Sequence, residues 1–145
     1  MLIRAAKADD ADQIVRLIQE LATNLDELSP ITASYVCQSI KSPGFGILLA
    51  EETGQVVGLL SYSIRPSLFH AANSGLIEDL VVDEAFRGKS IGSALLKEFM
   101  SQLEAMGCAE VSVTTMPDNV GAQRFYRAHG LVDEAVYLEK HFEVG

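Results

Sequence analysis

The chain is 145 residues long and acidic, with 20 Asp and Glu against 11 Lys and Arg and a formal net charge of −9. That balance argues against a nucleic-acid partner, which calls for a basic face to meet phosphate, and it is permissive for cationic small molecules. The length suits a single domain, 1–145, and no apolar run approaches the roughly 20 residues that span a bilayer, so no membrane partner and a cytoplasmic location are expected.

Leu2 to Ala6 reads as a short edge strand. Asp9 can cap a helix from Asp10 to about Ala22, with Asp12 in the first turn and Ile14, Leu17, Ile18 and Leu21 on one face. Asn24 to Pro30 is a polar break, and Thr32 to Ile40 a shorter helix. Gly46 to Ala50 and Val56 to Ile64 read as strands joined through Glu52-Thr-Gly-Gln55, before Pro66 to Ser74 interrupts the pattern. Leu76 to Val82 is a buried strand. The helix from about Lys89 to Met106 carries Ile91, Leu95, Phe99 and Leu103 at helical spacing and stops at Gly107. Strand Val111 to Thr115, a short helix from about Val120 to Ala128 and a last strand near Val136 to Phe142 complete the order. The expected fold is α/β (α+β), a mixed central sheet with helices on both faces.

The junction at Leu76 to Gly92 carries the most chemistry. A strand running into a glycine-bearing turn that opens a helix aims backbone N–H groups at one spot, with the positive end of the helix dipole behind them, as a pyrophosphate requires. Gly88-Lys89-Ser90 imitates the end of a Walker loop, but Asp83 stands where that loop needs glycine and would repel a triphosphate. A dinucleotide fingerprint fails at Ser90, which occupies the place of its second glycine. What remains is Arg87-x-x-Ser90-x-Gly92, and the basic residues Arg87, Lys89, Lys97, Arg124 and Arg127 gather near it in an otherwise acidic chain. Cys37 and Cys108 give no disulfide framework, and His70, His129 and His141 form no metal spacing with them, so no metal is expected.

This strand, turn and helix resemble motif A of the GCN5-related N-acetyltransferases. Asn119-Val-Gly-Ala122-Gln-Arg-Phe125-Tyr126-Arg-Ala-His-Gly130-Leu131 resembles that family's N-x-x-A-x-x-F-Y-x-x-x-G-[FL] segment, and Ile3 to Leu21 its first strand and helix. The resemblance runs from Leu2 to about Phe142 and, through Ile77-Glu78-Asp79 with Asn119 to Gly130, is nearest to the diamine and polyamine acetyltransferase branch. It implies acetyl-CoA as co-substrate, a small cationic primary amine as acceptor, and a homodimer as in many relatives. It also implies a strand splayed from its neighbour to admit pantetheine. Leu80, Val81 and Val82 would be its backbone partners; Arg87, Gly88, Lys89, Ser90, Ile91 and Gly92, with Ser93 beside them, would form the phosphate cradle. Asn119 and Phe125 would complete the cofactor site, Asn119 also being able to cap the helix that follows. If position 90 needs φ > 0, serine there costs on the order of 1 kcal/mol relative to glycine.

Acetyl transfer to an amine needs a base to strip an ammonium with a pKa near 10, a donor for the charge on the former carbonyl oxygen, and an acid for the departing thiolate. Glu78, beside the expected thioester, is the candidate base acting through water; Asp79 points to the opposite face by strand alternation and is the alternative, and a strand bulge could exchange them. Tyr126 is the candidate acid, by the resemblance and by its phenol donor. Asp26 and Glu27 after the first helix, and His70 before the key strand, are candidate acceptor-binding residues. The alternative function is a catalytically weak acyl-CoA-binding regulatory module, against which the presence of both Glu78 and Tyr126 argues.

Overall fold

The computed structural model describes residues 1–144. Nine main elements follow in order: β1 (Leu2–Ala5), α1 (Ala11–Asn24), α2 (Ala33–Ile40), β2 (Phe45–Glu52), β3 (Gln55–Ser67), β4 (Ala72–Val82), α3 (Ile91–Ala105), β5 (Glu110–Val113) and α4 (Val120–Ala128). The strands form one sheet in the order β1-β2-β3-β4-β5, antiparallel except for the parallel pair β4 and β5 that the α3 crossover requires.

Strand alternation divides the apolar residues between two cores. Ile47, Leu49, Val56, Leu59 and Val81 meet Ile14 and Leu17 of α1 and Val36 of α2 on one face. Leu48, Val57, Leu60 and Ile77 meet Leu95, Leu96, Phe99 and Leu103 of α3 and Tyr126 of α4 on the other. The α3 helix lies close to the sheet: a Cβ on Gly58 would stand 3.1 Å from Ile91 and 3.3 Å from Leu95. Thr32 caps α2 by accepting the Tyr35 amide at 3.1 Å, so this helix starts where its sequence signal lies.

Three elements differ from the sequence reading. Asp9 caps nothing; a 3-10 turn over Ala8–Asp10 leads directly into α1. Its anchor is Asp10, which accepts the Lys7 amide at 2.8 Å and both guanidinium nitrogens of Arg4 at 2.8 and 2.9 Å. Pro66 to Ser74 does not interrupt the sheet, because β3 and β4 pair out to Ser67 and Ala72 as a long hairpin. Pro66 is tolerated close to the hairpin end, where few ladder bonds remain to be lost. No strand forms at Val136 to Phe142: residues 131–144 make no regular element, and Val136, Leu138 and Phe142 are 86, 86 and 76% exposed. An alternating pattern makes a strand only where another strand's N–H and C=O groups meet it.

Candidate active site

Two cavities flank the place where β4 leaves β5. Parallel pairing ends at Ile77 and Val113, while Asp79 to Val82 continue with β3 alone, leaving one edge of β4 open. Both cavities use the elements around that parting.

The smaller, about 240 Å³, is lined by Val82, Phe86, Arg87, Gly88, Ser90, Ile91, Gly92, Ser93 and Phe125. Ser90, the residue before α3, has φ 62°, in the left-handed region that glycine would adopt without strain. This backbone turn brings the amides from Gly88 to Ser93 to one end of α3, and none of them donates a hydrogen bond within the described residues. Six unpaired amides at the positive end of a 15-residue helix, in a cavity, suit an anion such as a diphosphate. The Arg87 Nε donates to the Val82 carbonyl at 3.3 Å, and the Lys89 ammonium lies 5.1 Å from the Phe86 ring centre. A Cβ on Gly92 would point at Phe125, 3.6 Å away, so the absence of a side chain keeps this space open.

The larger is a groove of about 1130 Å³ whose lining includes Glu78, Tyr126, Arg65, Val113 and His129. Glu78 occupies a bulge: Ser61 pairs with Asp79 and Tyr62 with Ile77, so Glu78 has no partner on β3. The extra residue exposes the Glu78 carboxylate to the groove, where Ser63 donates to it at 3.4 Å. Asp79 instead accepts the hydroxyl of buried Ser61 at 2.6 Å and is not among the groove's lining residues.

Tyr126 projects from α4 into the second core and is 9% exposed. Its hydroxyl makes no hydrogen bond within the described residues. Burial, with a smaller contribution from the Asp79 charge, pushes its pKa up to about 12, so the phenol stays a donor across the neutral range. The ring stands edge-on to Phe125 at 5.1 Å, and Phe125 lies 4.9 Å from the His129 ring. His129 Nε2 is 3.1 Å from the Ser93 hydroxyl, which ties the end of α4 to the start of α3 and sets a lining residue of the groove against one of the smaller cavity. Asn119 caps α4 by accepting the Ala122 amide at 3.1 Å.

Not every candidate gathers here. Asp26 and Glu27 line neither cavity. His70 is 3.5 Å from Glu110, at the far end of β4 and β5. The side chains of Leu80 and Val81 are taken up by the cores, Val81 against α1 and Leu80 on the α3 side, which leaves only their backbone on the open edge. Phe86, Ser63 and Arg65 escaped the sequence reading; the i, i+2, i+4 spacing of Ser61, Ser63 and Arg65 was the signal, because it puts them on one sheet face.

Residues 11–131 match the acetyltransferase (GNAT) family. The chain is 30% identical over 140 residues to an aminoalkylphosphonate N-acetyltransferase of Salmonella typhimurium, covering 97% of this chain and 86% of that one. It is 30% identical over 147 residues to a thialysine N-epsilon-acetyltransferase of Bos taurus, covering 92 and 85%. A solved structure from Agrobacterium tumefaciens, described as an acetyltransferase, superposes with a TM-score of 0.87 at 24% identity, over 98% of this chain and 100% of that one.

Proposed function

This chain belongs to the acetyltransferase (GNAT) family and is an acetyl-CoA-dependent acyltransferase that acetylates amines, and we propose that it works by direct attack of a small primary amine in a ternary complex. The bound co-substrate supplies an activated thioester carbonyl. The amides of Gly88, Lys89, Ser90, Ile91, Gly92 and Ser93 would bind its diphosphate, with Arg87 and Phe125 as walls. The free backbone edge of Leu80 to Val82 and the side-chain amide of Asn119 would hold the pantetheine arm.

Glu78 accepts a proton from the amine through water, and its position in the bulge supports this role over Asp79. Asp79 accepts from Ser61, and its charge adds to the burial that helps the Tyr126 phenol retain its proton. Tyr126 gives a hydrogen bond, and then the proton, to the departing sulfur. Asp26, Glu27 and His70 have no part in these steps. The observation that supports the reading is a set of six unpaired amides at the start of α3, beside a separate groove that both Glu78 and Tyr126 line.

We also take residues 1–145 as one catalytic domain, acting in the cytoplasm as a homodimer. The open outer edge of β5 and the exposed Val136, Tyr137 and Leu138 support association of two copies. The test of function is thiol release from acetyl-CoA with a panel of amines. Amine-dependent release is expected; saturable cofactor binding that no amine converts into release would favour a regulatory acyl-CoA-binding module.

A further inference from the structure

The sheet face beside Glu78 carries a polar field with opposite charges at its two ends. Along β3, Ser61, Ser63 and Arg65 alternate onto one side, and β4 sets Asp79, Leu76 and Ser74 opposite them in register. On β5, Ser112 continues the row of Leu76, and Glu110 the row of Ser74. The carboxylate end is Glu78, tied to the Ser63 hydroxyl.

The cationic end is Arg65. Arg4, Arg16 and Arg127 have carboxylate partners at 2.8 to 3.1 Å, whereas Arg65, like Arg87 and Arg124, makes no ion pair among the described residues, and of these three Arg65 lines the groove. Glu110, which shares its row and lines the same groove, is 3.5 Å from the His70 ring and makes no ion pair with Arg65. Beside Arg65 on β4, Ser74 is 5% exposed and its hydroxyl oxygen has no hydrogen-bond partner. Arg65 and Glu78 line the same groove. Arg65 is two residue steps along β3 from Ser63, about 6.6 Å of backbone, and the reach of both side chains lets the charged heads stand roughly 6–10 Å apart.

A free guanidinium in a chain of net charge −9 works against a purely cationic acceptor such as a diamine, whose second ammonium it would repel. It suits an anion instead, since its planar fork can donate two parallel hydrogen bonds to a phosphonate, phosphate or carboxylate. We propose that the acceptor is an amine that also carries an anionic group, bound with the anion on Arg65 and the amine beside Glu78. The inference rests on the acetyltransferase reading above and narrows its substrate class. Arg65 is on this account a specificity residue that touches the acceptor away from the reacting atoms.

The test compares thiol release with 2-aminoethylphosphonate, β-alanine, n-propylamine and 1,3-diaminopropane. At least one of the two anionic amines should exceed n-propylamine in kcat/KM by about ten- to a hundredfold, the effect of one charge-assisted contact, and which of them leads identifies the anion. In Arg65→Gln that ratio should fall about tenfold, chiefly through KM of the anionic amine, and Arg65→Lys should restore part of it; circular dichroism checks that the variants fold. Equal efficiency of all four amines, a lead for the diamine, or an Arg65→Gln ratio like that of the parent overturns the inference while leaving the acetyltransferase intact. Release with none of the amines removes the proposed small-amine mechanism and the inference together.

Discussion

Replacing Tyr126 by Phe isolates one proton. The phenol makes no hydrogen bond within the described residues, so losing it leaves no partner stranded, and the ring keeps its place in the core beside Phe125. Stability should therefore change by less than about 0.5 kcal/mol. Turnover should change far more. A general acid contributes about 10²- to 10⁴-fold, but a phenol raised to about 12 is a weaker acid than the thiol whose thiolate it would protonate. Full transfer between them runs uphill, so the hydroxyl acts largely through a hydrogen bond to developing negative charge, which puts the loss near the low end, about 10²-fold in kcat, or roughly 2.7 kcal/mol. Steady-state kinetics with acetyl-CoA and an active amine, together with calorimetry of coenzyme A binding, checks both halves. A kcat within threefold of the parent would refute the acid role, and an equally large loss of cofactor affinity would show that Tyr126 serves binding.

Glu78→Gln should lower kcat by about 10²-fold and flatten the limb of the pH–rate profile that rises with pH, because the variant has no carboxylate to deprotonate; a profile of unchanged shape assigns the base elsewhere. Ser90→Gly relieves a left-handed φ of 62° at the cost of a freer unfolded chain, so thermal or urea unfolding should show a net gain of about 0.5–1 kcal/mol; a loss would mean the serine side chain stabilises the turn. Asp10→Asn should cost about 2–3 kcal/mol, since Asp10 is buried and hydrogen-bonded to Arg4. Those bonds, led by that from Arg4 and followed by the Lys7 amide, hold the Asp10 carboxyl below its ordinary pKa. Its stabilisation is therefore full above the unfolded value of about 3.9 and lost as pH falls through the lower folded value. Unfolding of Asp10→Asn measured from pH 6 to pH 2 should lack that part of the acid loss, and parallel curves for parent and variant would contradict the assignment.

The parts legible in sequence were those with local causes. The strand into Val82 and the amphipathic spacing of Ile91, Leu95, Phe99 and Leu103 are properties of single segments, and both appear in the fold. The sequence raises positive φ at Ser90 only as a condition, because the motif it resembles has glycine there, and the residue does sit at φ 62°. Asp9 misled because several acidic residues cluster before α1, and the Arg4 fork, six positions earlier in the chain than its partner, selects Asp10. Val136 to Phe142 misled because alternation says which residues share a face but not whether another strand lies beside them. Which acid meets the groove depends on one bulge between β3 and β4, and Arg65 becomes a neighbour of Glu78 only through hairpin register. Those are relations between strands, beyond the reach of any one segment's pattern.

The central claim is that coenzyme A lays its diphosphate on the amides at the start of α3, and amide NMR during a titration with coenzyme A tests it residue by residue. The account predicts that the signals of Gly88 to Ser93 shift together and saturate, ahead of amides elsewhere. Saturable shifts confined to other parts of the chain, or none at millimolar coenzyme A, would contradict it.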